Sequence, residues 1–213
     1  MEIRKETKDW IVAVKPPELV SEAVGDGSGM GDLLAERNNG YIGVIHRMDR
    51  GVGGVTVYAK NKSAAAWLSE EVRLHRMEKV YLAVSEGIPE EMEGELRDLL
   101  FFDRGRNKVF PVQRQRKGVK EAILRYRVLK TAVDPQTERP VALLEVVPIT
   151  GRTHQIRVQL ATRGYPLVGD RKYGGHGSDG IALACHRITV PARGKEQSYT
   201  AEYTPDGRPW DLF

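Results

Sequence analysis

The sequence predicts an α+β fold on a mainly antiparallel sheet, and three observations carry that expectation. Short β-branched runs bounded by Pro or Gly recur along the chain. Two longer runs, residues 119 to 130 and 139 to 148, alternate or cluster apolar residues and flank a turn-rich gap at Asp134 and Pro135, as antiparallel neighbours do. Helical stretches are too few and too unevenly placed for regular βαβ alternation, which disfavours a doubly wound parallel sheet.

Taken in order, "WIVAV" at residues 10 to 14 reads as a strand stopped by Pro16 and Pro17, because proline lacks a donor and restricts the residue before it. "GDGSGMG" at residues 25 to 31 carries four glycines among polar residues and reads as a mobile surface loop. "GVTVYA" at 54 to 59 is a buried strand, followed by a helix within "KSAAAWLSEEVRLHRMEK", where Ala64, Leu68 and Val72 share one face. "KVYLAVSEG" returns to strand. Residues 153 to 164 fit a short helix with Ile156 and Leu160 inward, ended by Gly164 and Pro166, and "IALACHRITVPA" is one more strand.

With 213 residues and a formal charge of +4, the chain has the size of one domain, spanning residues 1 to 213. A lone cysteine, Cys185, excludes an intramolecular disulfide, and the scattered histidines have no zinc-ligand spacing, so no metal is expected. No secretion signal and no membrane-spanning run is visible, which places the expected chain in the cytoplasm as a monomer without membrane contact. Between Arg104 and Lys120 lie seven Lys or Arg and no acidic residue; a basic hairpin fits the segment, either as a solvated charged face or as a surface where Arg104, Arg106, Lys108, Arg114, Arg116 and Lys117 contact a phosphate backbone.

Chemistry concentrates in "HRMDRGVGG" at 46 to 54 and "ITGRTHQIR" at 149 to 157, both at apparent strand ends. A carboxylate between arginines, as Asp49 is, is held ionised and suits a nucleophile or an electrostatic stabiliser better than a general acid. The protein-kinase catalytic loop is excluded by the residue inserted between Arg47 and Asp49 and by the missing asparagine and D-F-G. The glycine loop has no G-x-x-x-x-G-K-S/T continuation, which excludes a P-loop.

"HRMDRGVGGVTVYAK" resembles the H-R-L-D-R-x-T-S-G signature of the RluA-type RNA pseudouridine synthases. So do "IVAVKPPELV", with its K-P turn, "KVYLAVSEG", "ITGRTHQIRVQLATRGYPLVGDRKYGG" and "LACHRITVPA", in the family's order along nearly the whole chain. The resemblance implies the pseudouridine synthase fold and a cofactor-free isomerase of uridine in ribosomal or transfer RNA, reduced to its catalytic domain without an S4-type domain. It places the catalytic aspartate at Asp49, a stacking tyrosine at Tyr81 and the arginine that pairs with the aspartate at Arg157. It also puts Arg47 in displacement of the target base, with His46, Arg50, Arg152, His154 and Gln155 around it. Val52 and Gly53 replace the T-S of the signature, Met48 the usual Leu, and Gln159 a common His. A non-catalytic RNA-binding or ribosome-assembly protein that retains the fold is the alternative, and the chain leaves open whether the carboxylate attacks covalently or stabilises a departing base.

Overall fold

The computed structural model describes residues 1–22, 28–177, 180–194 and 197–213. In chain order its strands are β1 (Glu2–Glu6), β2 (Trp10–Lys15), β3 (Gly43–Val44), β4 (Gly53–Ala59), β5 (Glu78–Glu86), β6 (Glu93–Asp103), β7 (Lys108–Val112), β8 (Val119–Asp134), β9 (Arg139–Pro148), β10 (Leu183–Val190) and β11 (Tyr199–Glu202). Its α-helices are α1 (Met30–Asn38), α2 (Lys62–Arg73) and α3 (Gln155–Ala161). The backbone forms two compact units, one of Met1–Lys79 with Cys185–Thr204, the other of Val80–Ala184 with Pro205–Phe213.

In the first unit the strand order is β1-β2-β4-β10-β11, and β3 pairs with the last two residues of β4. The antiparallel register of β2 on β4 runs from Trp10 opposite Ala59 to Lys15 opposite Gly54. Both strands are buried along their whole length, which explains why they read as continuous apolar runs rather than as alternating ones. One face of β2, Ile11 and Ala13, joins Tyr58, Met30 and Leu34 in a core cluster.

Helix α1 corrects the expectation of an irregular stretch over residues 25 to 31. Residues 25 to 27 lie outside the described part, but Met30 and Gly31 already belong to the helix. Gly29 serves as its N-cap, and Asp32 accepts a hydrogen bond from the Gly29 amide at 2.7 Å, so a glycine-rich approach ends in the N3 half of a capping box. Met30 and Leu34, four residues apart, are its buried anchors; with only these two, the apolar stripe was too thin to read. Helix α2 starts where Asn61 Oδ1 accepts from the Ala64 amide at 2.8 Å, and it stops at Arg73, short of the full stretch to residue 79.

In the second unit the order is β5-β9-β8-β6-β7, with every neighbouring pair antiparallel. The expected neighbours β8 and β9 do pair, from Leu124 opposite Pro148 to Asp134 opposite Arg139. The basic segment is not a self-contained hairpin. Its β7 pairs back onto β6, which sequence reading did not identify, around a turn at residues 104–107, and residues 113–118 then lead to β8 on the other side of β6. Helix α3 also departs from expectation: Gln155, Ile156, Arg157, Val158, Gln159 and Leu160 are all buried, so it has no solvent face along that run. Val158 packs with Leu100, Val109 and Ala122, while Trp210, Leu212 and Phe213 cover the Val84, Val141 and Ala182 cluster.

Gly54 sets the closest backbone approach in the first unit. Its φ is +119°, and a Cβ there would sit 2.3 Å from the Cys185 carbonyl oxygen. Gly54→Ala is expected to lower unfolding free energy by about 3 kcal/mol or more in urea melts. Gly151→Ala, whose Cβ would meet nothing within 4 Å, is expected to change it by less than about 0.5 kcal/mol.

Candidate active site

Asp49 lies in the loop between β3 and β4, in a turn closed by the Val52 amide donating to the Asp49 carbonyl at 3.1 Å. Two contacts from the segment after β2 clamp this turn. Ser21 Oγ accepts from the Met48 amide at 3.0 Å and donates to the Met48 carbonyl at 3.3 Å, and the Gly51 amide donates to the Pro17 carbonyl at 2.9 Å. Ser21 and Met48 are buried, whereas Asp49 is half-buried and Arg47 and Arg50 are exposed. Arg47 forms an ion pair with Glu22 at 3.8 Å.

The clamp is itself folded around a buried cation. Lys15, fully buried, donates from Nζ to the carbonyls of Pro16 at 2.9 Å and Leu19 at 2.7 Å, curling the K-P-P-E-L turn around its ammonium. Burial pushes its pKa down to about 8, against the opposing pull of the Glu18 and Asp49 carboxylates. The Val52-Gly53 replacement of the family's T-S has a geometric correlate here. A Cβ on Gly53 would lie 3.2 Å from both the Lys15 carbonyl oxygen and Pro17 Cδ, so its absence lets the two segments close on each other.

His46 stands three residues before Asp49 with Nε2 3.2 Å from Thr56 Oγ1, while Nδ1 is buried without a hydrogen-bond partner. Burial, with the Lys79 cation adding to it, lowers the imidazole pKa to about 3. A ring held neutral through the physiological range supports the loop and carries no charge toward a phosphate.

In the second unit, Tyr81 is half-buried on β5 opposite Val146 of β9. Arg157, buried on α3, donates from Nε to Asp170 Oδ2 at 2.7 Å and from Nη2 to Asp170 Oδ1 at 2.8 Å, a bidentate pair in which both side chains are almost wholly enclosed. It is therefore no helix-surface arginine. Gln155 is buried and holds the preceding loop: its Oε1 accepts from Thr150 Oγ1 and the Arg152 amide, and its Nε2 donates to the Ile123 carbonyl at 2.9 Å. Those bonds give Gln155 a positioning role. Arg152 is exposed and donates from Nε to the Glu121 carbonyl at 2.9 Å.

His154 caps α3 in a left-handed conformation, φ +51°, and its Nδ1 lies 2.8 Å from the Tyr173 hydroxyl. Tyr173 belongs to the 3₁₀ turn Arg171–Tyr173, directly after Asp170. Of the basic candidates, Arg104 and Arg106 occupy the β6–β7 turn, Lys108 opens β7, and Arg114, Arg116 and Lys117 lie beyond its end; all but the half-buried Lys108 are exposed. Arg116 lies over the Phe101 ring, 5.0 Å from its centroid.

Sequence reading missed four residues that support this machinery: Lys15, Ser21, Asp170 and Tyr173. Lys15, Asp170 and Tyr173 lie in stretches already quoted, and Ser21 directly follows "IVAVKPPELV". A carboxylate preceding a 3₁₀ turn and a buried arginine 13 residues before it give no sequence signal for their pairing. No group of His, Cys, Asp and Glu able to hold a metal exists among the described residues, and no described helix is long and apolar enough to cross a membrane.

Residues 9–162 match the RNA pseudouridylate synthase family. The chain belongs to that family. It is 32% identical over 196 residues, 88% of its own length and 86% of the other, to an RNA pseudouridine synthase of Zymomonas mobilis. With chloroplastic RNA pseudouridine synthase 2 of Arabidopsis thaliana it shares 34% over 150 residues, 69% of this chain and 34% of that protein. With ribosomal large subunit pseudouridine synthase C of Buchnera aphidicola it shares 32% over 171 residues, 78% of this chain and 52% of that one. The chain thus spans a third to a half of the length of these latter two relatives. Its fold is that of the solved human RNA pseudouridylate synthase domain containing 1, with a TM-score of 0.80 at 23% identity over 96% of this chain and 83% of that one. The expected α+β class and pseudouridine synthase fold are both met.

Removing Asp170 takes from the buried Arg157 guanidinium its bidentate carboxylate partner. Asp170→Ala is expected to cost about 3–5 kcal/mol in urea melts, whereas Arg163→Ala, which loses a more exposed partner in Asp98, costs about 1 kcal/mol or less.

Proposed function

We propose that this chain is an RNA pseudouridine synthase that isomerises a uridine in ribosomal or transfer RNA, with Asp49 as the nucleophile. The observation that carries the proposal is the Asp49 turn itself: a half-buried carboxylate on a loop clamped from Ser21 and Pro17, flanked by exposed arginines, in a chain of this family. The reaction breaks the C1′–N1 bond, turns the uracil and joins C1′ to C5, while C5 loses its proton to solvent and N1 takes one up; nothing is oxidised and no water is consumed. A fixed carboxylate serves either covalent attack or electrostatic support of the detached base. Tyr81 offers an aromatic face for the uracil, and Arg157 completes the catalytic set.

A uridine in structured RNA must leave its stack before its C5 can be reached, at a cost of a few kcal/mol. Arg47, with its exposed guanidinium three residues from the β3 end, is the displacing side chain. The basic side chains at both ends of β7, with the exposed Phe102 beside them on β6, supply backbone contacts in this reading. Relatives named for the large ribosomal subunit support ribosomal RNA as the first pool to assay.

The deciding assay is tritium release from RNA labelled at uridine C5. Asp49→Asn is expected to reduce release by about a thousandfold or more while RNA Kd stays within about twofold; a mutant of full activity removes the Asp49 assignment. Replacing Arg114, Arg116 and Lys117 together by Ala is expected to weaken RNA binding and to reduce the slope of log K against log salt by roughly 2, three contacts at about 0.7 each for single strands. An unchanged slope would make that segment a solvated face.

A further inference from the structure

Tyr173 gathers four contacts that come from different parts of the second unit. Its hydroxyl accepts from the Val109 amide of β7 at 2.8 Å and shares a 2.8 Å hydrogen bond with His154 Nδ1, the cap of α3. Its ring lies under two cations, the Arg157 guanidinium and the Lys108 ammonium, each 5.2 Å from the centroid. The neighbouring Lys172 adds a second tie, donating from Nζ to the Asn107 carbonyl in the β6–β7 turn at 2.8 Å.

These contacts are unequal in kind. Val109 is the second residue of β7, and Lys108 is both its first residue and one of the proposed RNA-backbone contacts. Arg157 is fixed along one edge by Asp170, three residues before Tyr173, so Tyr173 and Asp170 form one short turn that holds the guanidinium by its edge and by contact with a ring. His154 has a positive φ that a non-glycine residue seldom adopts, and its ring sits edge-on to Tyr173, 5.6 Å between centroids. A shift of β7 therefore reaches His154 and Arg157 through one side chain.

We propose that Tyr173 is a positioning residue that couples RNA contact at the β6–β7 hairpin to the placement of Arg157. The proposal rests on the RNA-binding reading of that hairpin. An RNA backbone engaging Lys108 draws its ammonium from the ring, and tension along β7 passes through the Val109 amide to the phenol. The hydroxyl carries that change to His154, and the ring carries it to Arg157. The enzyme then aligns its buried arginine only when RNA lies along the hairpin, which makes the hairpin a determinant of turnover as well as affinity.

The Arg157 Nε–H, donated to Asp170 in a buried site, gives a nitrogen-15 NMR signal that can be assigned by its loss in Arg157→Lys. Adding oligouridine RNA to the wild-type chain is expected to move that signal. In Tyr173→Phe, which keeps the ring and removes the hydroxyl, oligouridine is expected to bind with a Kd within about twofold of wild type while moving the signal less than about a third as far. Tritium release by the same variant is expected to show kcat lowered about tenfold with KM within about twofold, the split that a merely weakened hairpin does not give. If Tyr173→Phe proves unfolded, Lys108→Met at saturating RNA tests the same link, since it spares the phenol and removes the hairpin's cation from its ring; a reduced signal shift supports the coupling. An equal shift in the variant and wild type, no shift in wild type, or no RNA binding by wild type overturns the proposal. Failure of the synthase reading is separate: it is a wild-type chain silent in tritium release whose Arg157 signal still responds to RNA through Tyr173.

Discussion

The buried pair between Arg157 and Asp170 is the contact around which this part of the second unit is arranged. An arginine without solvent on a helix that is buried almost all round requires a carboxylate of matching geometry, and Asp170 meets the guanidinium fork with both oxygens. That demand fixes the start of the turn that follows. The Asp170 carbonyl accepts from the Tyr173 and Gly175 amides, so the residue that neutralises Arg157 also shapes the turn that carries Tyr173. Packing of Tyr173 against Leu100, Val109, Ala122 and Val158 then ties the turn to three strands and the helix.

The first unit solves a similar problem with different materials. Lys15 is a buried cation held by two backbone carbonyls, and its desolvation is the dominant influence on its titration. What the arrangement gains is shape: a compact turn whose Ser21 and Pro17 reach the loop bearing Asp49. A loop of small and polar residues, left to itself, loses too much chain entropy to hold one carboxylate in one place. Here a hydroxyl at Ser21, 27 residues before Met48, and the close fit that Gly53 permits hold the loop.

Strands with strong β-branched content were legible in the sequence: residues 10 to 14, 54 to 59 and 119 to 130 each lie within an observed strand, because burial on a sheet is written directly into residue type. Strand β6 was not, since "EGELRDLLFFD" mixes charges with apolar residues and gains its place from partners on both sides, β7 and β8. Helix α1 escaped for want of an apolar stripe. Among the candidate residues, chemistry-bearing types stood out in two motifs, but the groups that hold them did not. Asp170, Tyr173, Lys15 and Ser21 act through contacts formed only once the chain has folded, and single-sequence periodicity carries no record of such pairings.

Strand β7 closes the strand order of its unit with one edge unmatched by any other strand among the described residues. Such an edge is where a passing β-chain would pair, but the Val109 amide is already taken by the Tyr173 hydroxyl. Its make-up resists that use: Lys108 opens it, Pro111 removes a donor near its centre, and Arg104, Arg106, Arg114, Arg116 and Lys117 crowd its two ends with like charge. A second copy approaching edge to edge would bring positive charge against positive charge and find a gap in the ladder. The charges proposed to meet an RNA backbone therefore also disfavour pairing of two such edges.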